Sequence, residues 1–219
     1  MGLSRHYQVG KEKIIALDNV DLEIEKGKIY AILGTSGSGK STLLNMLAGL
    51  EKPTSGTVQI GKFRIDRFDE AQLAKFRQRY TGFIFQSYNL ISTMTALENV
   101  ALPLMFKGVA KAEREKTALE MLRLVGIENR KDHKPSEMSG GQQQRVGIAR
   151  ALAANPSVIF ADEPTGNLDS KTTNEVMELI SQIVHENNQT LILVTHDANV
   201  AKFADVTVNI SDGKIVSIN

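Results

Sequence analysis

The chain has 219 residues, no cysteine and a formal net charge of +1. This length allows one large domain or two small lobes with a sizeable core. The absence of cysteine excludes disulfides and thiolate metal sites, and the near-zero charge argues against a dedicated nucleic-acid binder. No apolar run approaches the ~18 residues that span a bilayer, and the first residues lack the pattern of a secretion signal. We therefore expect any membrane connection to come through a partner.

Residues 1–28 have the pattern of short strands separated by turns. Ile14–Leu17 is a candidate strand, and Val20–Ile24 alternates apolar and acidic residues as a half-exposed strand does. Tyr7 is the one aromatic residue in this region. On pattern alone, it is expected to pack under the small sheet.

A glycine-rich stretch, Gly34–Thr42, lies between two apolar runs, Ile29–Leu33 and Leu43–Leu47. Strand, loop and helix in this order are typical of a phosphate-binding loop, in which backbone N–H groups and the helix N-terminus meet an anion. Lys40 is predicted to reach the β- and γ-phosphates of a nucleoside triphosphate, and the Ser41 hydroxyl to ligate Mg²⁺. The residues assigned to nucleotide binding in this loop are Gly34, Ser36, Gly37, Ser38, Gly39, Lys40, Ser41 and Thr42.

Beyond this loop, the pattern predicts a strand at Thr57–Ile60, a polar helix at Asp69–Arg79 and a buried strand at Gly82–Phe85. Helical periodicity then dominates from Ser87 to Asn155, as in Ala112–Val125, which indicates a helical lobe inserted into the core. The predicted organisation is a single domain over residues 1–219, with 1–86 and 158–219 as the nucleotide-binding core and 87–157 as the helical lobe.

Apolar strands return in the last third of the chain. Val158–Ala161 and Leu191–Val194 are continuous apolar runs, the type buried on both faces of a parallel sheet. A helix capped by Asp169 or Ser170 is predicted between them, and the turn at 211–213 predicts a terminal hairpin. The sequence therefore predicts an α/β fold with a P-loop NTPase core: a mainly parallel sheet, an antiparallel N-terminal β subdomain and an inserted helical subdomain.

Polar residues follow the buried strands at the edge of the sheet where ligands bind in parallel α/β folds. Asp162 suits the acidic partner of Mg²⁺, held through a ligand bond or a bound water. Glu163 can orient or deprotonate the attacking water. Gln86 can complete the metal shell and sense the γ-phosphate, and His196 can bind the γ-phosphate and help to position Glu163. We thus assign Glu163, His196 and Gln86 to catalysis, and Ser41, Gln86 and Asp162 to the metal.

The same residue types have simpler interpretations. An Asp-Glu pair at a strand end is usually a helix cap or a solvated turn, but the phosphate loop in the same chain favours the catalytic interpretation. Lone histidines are more often structural, so no role is assigned to His6, His133 or His185. Arg145 and Lys134 are interpreted as solvated or structural.

Ser139–Gln142 is a second glycine-containing helix start. Small residues at a helix N-terminus can meet an anion, yet one nucleotide cannot occupy two separated loops. Either this stretch is an ordinary helix cap, or it meets a phosphate held by another chain.

Together these motifs resemble those of an ABC-transporter ATPase subunit, in the family's order and over nearly the whole chain. The Walker A, Q-loop, signature, Walker B, D-loop and H-loop motifs correspond to Gly34–Thr42, Gln86, Ser139–Gln142, Val158–Glu163, Asn167–Asp169 and His196. Thr95–Val100 and Ser139–Arg145 resemble the subfamily of lipoprotein-release, macrolide-export and antimicrobial-peptide-resistance transporters.

The resemblance implies a head-to-tail homodimer that sandwiches two ATP molecules with Mg²⁺, each between the Walker A of one chain and the signature of the other. Ser139, Gly140, Gly141 and Gln142 would then belong to the nucleotide site in trans. Asp169 would communicate across the interface. Tyr7 matches the aromatic residue that stacks on adenine.

The resemblance also implies a cytoplasmic subunit, held at the inner face of the cell membrane by a separate permease. The helical lobe would receive a permease helix, and four apolar residues either face that partner or are buried in the lobe: Leu90, Leu97, Met105 and Phe106. ATP-driven closure would power the export or extraction of a lipoprotein, a peptide or an antibiotic. A regulatory ATPase of the same fold is the alternative, because nothing in the sequence excludes it.

Two other classes fit less well. A GTPase switch would carry an Asn-Lys-x-Asp motif, which is absent, and a chromosome-maintenance ATPase would need a long coiled coil between Gln86 and Ser139.

The chain also departs from the family pattern at two points. Met138 replaces the usual leucine, and only six residues precede Tyr7, where the family normally has a strand.

Overall fold

A computed structural model describes residues 1–10 and 12–219. These described residues contain ten strands and seven α-helices. The strands are β1 (Leu3–Val9), β2 (Glu12–Val20), β3 (Ile29–Leu33), β4 (Gln59–Ile60), β5 (Phe63–Arg64), β6 (Thr81–Phe85), β7 (Val158–Asp162), β8 (Thr190–Thr195), β9 (Val206–Ser211) and β10 (Lys214–Ile218). The helices are α1 (Lys40–Leu47), α2 (Glu70–Tyr80), α3 (Ala96–Phe106), α4 (Lys111–Leu124), α5 (Gly140–Ala153), α6 (Ser170–Glu186) and α7 (Ala198–Ala201).

The central sheet has six strands in the order β10-β9-β3-β8-β7-β6. β9, β3, β8, β7 and β6 form parallel ladders, and β10 pairs antiparallel with β9. β1 and β2 form a separate antiparallel pair. The predicted α/β fold, with a mainly parallel sheet and antiparallel pieces at both ends of the chain, is confirmed.

Alternate residues of the central strands enter two different apolar clusters. Ile159 and Ala161 pack in one cluster with residues of α3, α4, α5 and α6, whereas Phe160 packs in the other with residues of α1 and α2. The Phe160 ring stacks on Phe83 of the neighbouring strand at 5.6 Å between centroids. Burial of a large apolar side chain such as Ile159 or Phe160 contributes about 1.5–3 kcal/mol to stability. The continuous apolar runs therefore mark strands covered on both faces.

Side-chain caps determine where several helices begin. Asp69, Thr95 and Ser139 each form a capping box with the third residue of the following helix, and Asp169 caps α6. A capping residue is worth about 1 kcal/mol. α1 differs, because Gly39 precedes it and no described side chain caps it.

One local prediction was wrong, and another was correct only in part. The predicted strand Val20–Ile24 is observed only at Val20, where β2 ends. Leu22 and Ile24 pack against the cluster that contains Phe160, but they pair with no neighbouring strand in the described part of the chain. The predicted strand at Thr57–Ile60 shortens to β4. The residues around Tyr7 form β1, which pairs Leu3 with Val20 and Tyr7 with Ile14.

Helices α3, α4 and α5 pack against one another, and α5 also packs against β6 and α6. Within the predicted apolar stripe of α4 and its end, Ala118, Leu122 and Val125 are fully buried. No helix of the described residues combines the length and apolarity needed to cross a membrane.

Candidate active site

The loop between β3 and α1 wraps its backbone around an open centre. Gly39 has φ +102°, which favours glycine, and a Cβ there would lie 2.5 Å from the Ala16 carbonyl oxygen. A Cβ at Gly34 would lie 2.4 Å from the Ile210 carbonyl oxygen. Both positions require glycine on packing grounds. The N–H groups in the first turn of α1 have no carbonyl partner within the helix, and they are suited to anion binding.

Lys40 and Ser38 point to an anionic occupant. The Lys40 ammonium donates to the carbonyl oxygens of Gly34 at 2.9 Å and Thr35 at 2.7 Å, and no ion pair to it is found among the described residues. The buried Ser38 hydroxyl has no hydrogen-bond partner among the described residues. A buried donor without a partner is costly, so both groups fit phosphate oxygens.

Ser41 and Asp162 bring two oxygen ligands together. The Ser41 hydroxyl donates to Asp162 Oδ1 at 3.3 Å. Burial raises the pKa of Asp162; the Ser41 hydrogen bond and the Lys40 charge act against this, and the Glu163 charge adds to it. The described residues contain no group of three or more acidic, His or Cys ligands. An alcohol and one carboxylate suit Mg²⁺ whose other ligands are phosphates and waters.

Glu163 and His196 form a pair beside the loop. The neighbouring parallel strands β7 and β8 end side by side, with Asp162 opposite Val194. His196 Nδ1 consequently lies 2.9 Å from Glu163 Oε1. Both side chains line a cavity of about 260 Å³ together with Ala16 and loop residues, namely Ser36, Gly37, Gly39, Lys40, Ser41 and Thr42. This arrangement can hold a water between a carboxylate and a phosphate.

Gln86 lies at the end of β6, outside the lining of that cavity. Its carbonyl oxygen accepts from Asn167 Nδ2 at 3.0 Å. Its side chain lies against the backbone of Gly166, where an added Cβ would be 2.7 Å from Gln86 Nε2. The structure therefore connects Gln86 to the turn after Glu163.

Ser139 and Asp169 serve as helix caps within the chain. The Gln142 N–H donates to Ser139 Oγ at 3.3 Å, and the Thr172 N–H donates to Asp169 Oδ1 at 3.0 Å. The Thr172 hydroxyl, which donates to Asp169 Oδ2 at 2.7 Å, and the Thr172 N–H both lower the pKa of Asp169. Ser139–Gln142 lies outside the lining of the phosphate-loop cavity. The helix cap is one of the two alternatives for this stretch, and it is observed. It does not exclude contact with a phosphate held by another chain.

Tyr7 is engaged away from the phosphate loop. Its hydroxyl donates to Glu51 Oε1 at 2.7 Å, and the Arg5 guanidinium lies 4.7 Å from the ring centroid. These contacts join Tyr7 to Arg5 and Glu51, and its packing under the small sheet and its stacking on adenine both stay predictions. The cavity is approached instead by Ala16, where the pairing with β1 shifts register. No sequence signal marks that shift.

The four apolar lobe residues divide into two groups. Leu90 and Leu97 are half-buried and pack on the first cluster, whereas Met105 and Phe106 are exposed. Arg145 is structural, since it donates to the Val125 carbonyl oxygen at 3.0 Å.

Comparison with known proteins identifies the family. The family model described as ABC transporter matches residues 17–166. The chain belongs to the ABC transporter family. It is accordingly an ATP-binding cassette ATPase.

Similar proteins cover almost the whole cassette. The chain is 48% identical over 217 residues to an uncharacterized ABC transporter ATP-binding protein, MJ0796, of Methanocaldococcus jannaschii, covering 97% of this chain and 92% of that protein. It is 47% identical over 215 residues to the macrolide export ATP-binding/permease protein MacB of Vibrio parahaemolyticus, covering 98% of this chain but 33% of MacB. A dimeric structure of MJ0796 in a post-hydrolysis state, bound to ADP and Pi, superimposes with a TM-score of 0.92 at 46% identity, covering 100% of this chain and 96% of that one.

Proposed function

We propose that two copies of this ABC ATPase close on two ATP molecules, hydrolyse them, and thereby drive a separate membrane permease that exports or extracts its cargo. The observation that carries the proposal is the Glu163–His196 pair, which lies beside the phosphate loop and next to Ser41 and Asp162. A base, a metal site and a phosphate cradle at one edge of a sheet are the parts that phosphoryl transfer to water needs.

In the proposed reaction, the phosphate loop holds the triphosphate through its N–H groups and Lys40. Ser41 and Asp162 would hold Mg²⁺, with Gln86 joining them when ATP is bound. When bound, Mg²⁺ neutralises charge on the β- and γ-phosphates. Glu163 accepts the proton of the attacking water. His196 Nδ1 would donate to the Glu163 carboxylate, and in the imidazolium form His196 would also donate from Nε2 to the γ-phosphate.

The second copy supplies what one chain lacks. Ser139–Gln142 lies outside the phosphate-loop cavity of its own chain, although its N–H groups start a helix and are suited to phosphate. We infer that it meets the γ-phosphate held by the other copy, with Asp169 at the same interface. Binding of ATP by two chains at once gives the closed dimer its differential affinity. The dimeric MJ0796 structures support this inference.

The membrane partner is inferred from relatives and from the helical lobe. MacB is named as both an ATP-binding and a permease protein, and this chain matches a third of its length. Met105 and Phe106 expose apolar surface at the end of α3, where a permease helix would dock. The protein would then be cytoplasmic and held at the inner face of the membrane.

Light scattering of the Glu163→Gln variant tests the ATP-driven closure. The substitution keeps the shape of the side chain and removes the base, so the variant should be monomeric alone and dimeric with ATP. A monomer with ATP demonstrably bound would contradict closure. Reconstitution with the permease separates transport from regulation, because a regulatory ATPase would hydrolyse ATP there without moving cargo.

A further inference from the structure

A hydrogen bond links helix α5 to the residue that follows Glu163. Gln144 lies one turn into α5 and is fully buried, and its side-chain N–H donates to the Pro164 carbonyl oxygen. Pro164 is buried as well. The helix whose first turn carries Gly140 and Gly141 is thus joined directly to the segment that holds the candidate base.

Glu163 needs such support because its backbone has φ +45°. A bulky residue rarely adopts this left-handed conformation, and it persists only where the surroundings hold it. Two backbone bonds come from the sheet and from the turn itself: Glu163 N–H donates to Val194 O at 3.0 Å, and Gly166 N–H donates to Glu163 O at 3.1 Å. Gln144 supplies a further bond, from helix α5 to the carbonyl oxygen of the next residue, Pro164.

The first turn of α5 also approaches the chain that follows Pro164, most closely at Gly141. A Cβ at Gly141 would lie 2.9 Å from Thr172 Cγ2, and one at Gly140 would lie 3.8 Å from Leu168 Cδ2. Close-packed contacts transmit displacement rather than absorb it. A shift of this turn would therefore reach Thr172 through the close approach at Gly141, and Pro164 through Gln144.

We propose that Gln144 is a positioning residue, which couples the first turn of α5 to Glu163 through the Pro164 carbonyl oxygen. When Ser139–Gly141 engages the ATP held by the second copy, the same helix places Glu163 for the hydrolysis of the ATP in its own chain. Each site is thereby made competent by closure at the other. This inference rests on the proposed function, in which Glu163 is the base and Ser139 acts in trans.

The chain contains a matched control for this arrangement. Gln189 is also buried, also donates from Nε2 to a proline carbonyl oxygen (Pro156, at 2.8 Å), and its Oε1, like that of Gln144, has no partner among the described residues. Pro156 precedes β7, whereas Glu163 follows it. The two glutamines thus make the same bond at opposite ends of one strand.

The test compares Gln144→Met with Gln189→Met in the full chain. Both should lose a similar increment of melting temperature, because each loses one buried hydrogen bond. Only Gln144→Met should lower kcat, by at least about tenfold, since displacement of a reacting group by about 1 Å can cost ~10²-fold. Its Kd for ATP should stay within about twofold of wild type, because the phosphate loop is untouched. Gln144→Asn, which keeps the amide but is one methylene shorter, should show the same split if the methionine variant folds poorly.

Equal kcat losses in Gln144→Met and Gln189→Met would overturn the proposal, as would unchanged kcat in both folded Gln144 variants. In a Glu163→Gln background, Gln144→Met should reduce the residual hydrolysis little, because the base it positions is gone. A further full loss there would also contradict the coupling. If Glu163→Gln alone hydrolyses ATP normally, the proposed role of Glu163 fails instead.

Discussion

His196 Nδ1 lies 2.9 Å from Glu163 Oε1, although 33 positions separate the two residues in the sequence. The contact follows from the parallel register of β7 and β8, which brings their carboxyl ends together. Glu163 is less exposed than His196, with 24% against 64% of the side chain accessible. The pair therefore places the more exposed histidine ring against a largely buried carboxylate, and the contact limits the rotation of that carboxylate.

Removing His196 should reduce turnover more than binding. In His196→Ala we expect kcat to fall by about 10²-fold, at the lower end of the range for loss of acid–base assistance, while the Kd for ATP changes little. His185→Ala is the control, because His185 makes a comparable contact of 3.2 Å with Asp205 away from the loop. Steady-state kinetics and equilibrium nucleotide titration measure the two parameters. Equal kcat in both variants would contradict the assignment.

The predicted contact between Tyr7 and adenine can be tested with a ligand that lacks the adenine ring. If Tyr7 leaves Glu51 and stacks on adenine, Tyr7→Ala should weaken ATP binding by about 5- to 150-fold, since stacking on an aromatic ring is worth about 1–3 kcal/mol. Binding of inorganic triphosphate should be unchanged, and Tyr7→Phe should bind ATP nearly normally. Isothermal titration of both ligands is the measurement. Equal losses for ATP and triphosphate would indicate a structural role in the contact with Arg5 and Glu51.

Asp162 should be a source of instability in the nucleotide-free protein. Its carboxylate is partly buried beside the acidic Glu163, and burial of a charge without a full partner is unfavourable. We expect Asp162→Asn to melt at a higher temperature than wild type in the absence of divalent cations, while Mg²⁺-dependent hydrolysis is lost. A lower melting temperature would show that the hydrogen bond from Ser41 outweighs the cost of the charge.

Asp66 should stabilise the fold in a pH-dependent way. Arg64 lowers its pKa through two hydrogen bonds of 2.9 Å, burial acts against this, and the Val58 N–H adds a bond of 3.1 Å. Because the pKa is lowered on folding, this stabilisation is present above the unfolded value and lost as the pH falls through the folded value. Asp66→Asn should lower the free energy of unfolding by about 1–2 kcal/mol at pH 7, with a difference that shrinks below about pH 4.

The control for Asp66 is Asp18→Asn. Asp18 pairs with Lys214 at 3.1 Å on an exposed surface, where ion pairs contribute about 0–1 kcal/mol. Denaturant unfolding at several pH values gives both differences. A pH-independent loss in Asp66→Asn would show that lost packing, rather than the charge, is responsible.

The sequence predicted those parts of the fold that depend on local patterns. The buried strands around Phe160 and Ile192 were identifiable as continuous apolar runs, and the phosphate loop as glycines between a strand and a helix. Val20–Ile24 was wrong because burial alternates there without a ladder partner, and single-chain periodicity does not distinguish the two cases.

Contacts between distant segments were not accessible to the same reasoning. The Glu51 contact of Tyr7 joins residues 44 positions apart, and the Gln144 bond to Pro164 spans 20. Local composition predicts neither contact. A glutamine near the polar start of a helix, for example, is ordinarily expected to be exposed to solvent. Only the packing of α5 against the sheet shows that Gln144 faces inward.

The composite site across two chains is the central claim, and mixing two defective variants tests it most directly. Lys40→Ala lacks the phosphate-binding ammonium and Ser139→Ala lacks the signature hydroxyl, so each alone should hydrolyse ATP poorly. A mixed dimer contains one site built from the intact Lys40 of one copy and the intact Ser139 of the other. An equimolar mixture should therefore recover hydrolysis above the average of the two separate variants. Random pairing sets an upper limit of about a quarter of wild type, and the coupling through Gln144 keeps the recovery below that limit, because the other site of the mixed dimer is defective. Activity that stays at the average of the two separate variants would contradict an ATP site shared between copies.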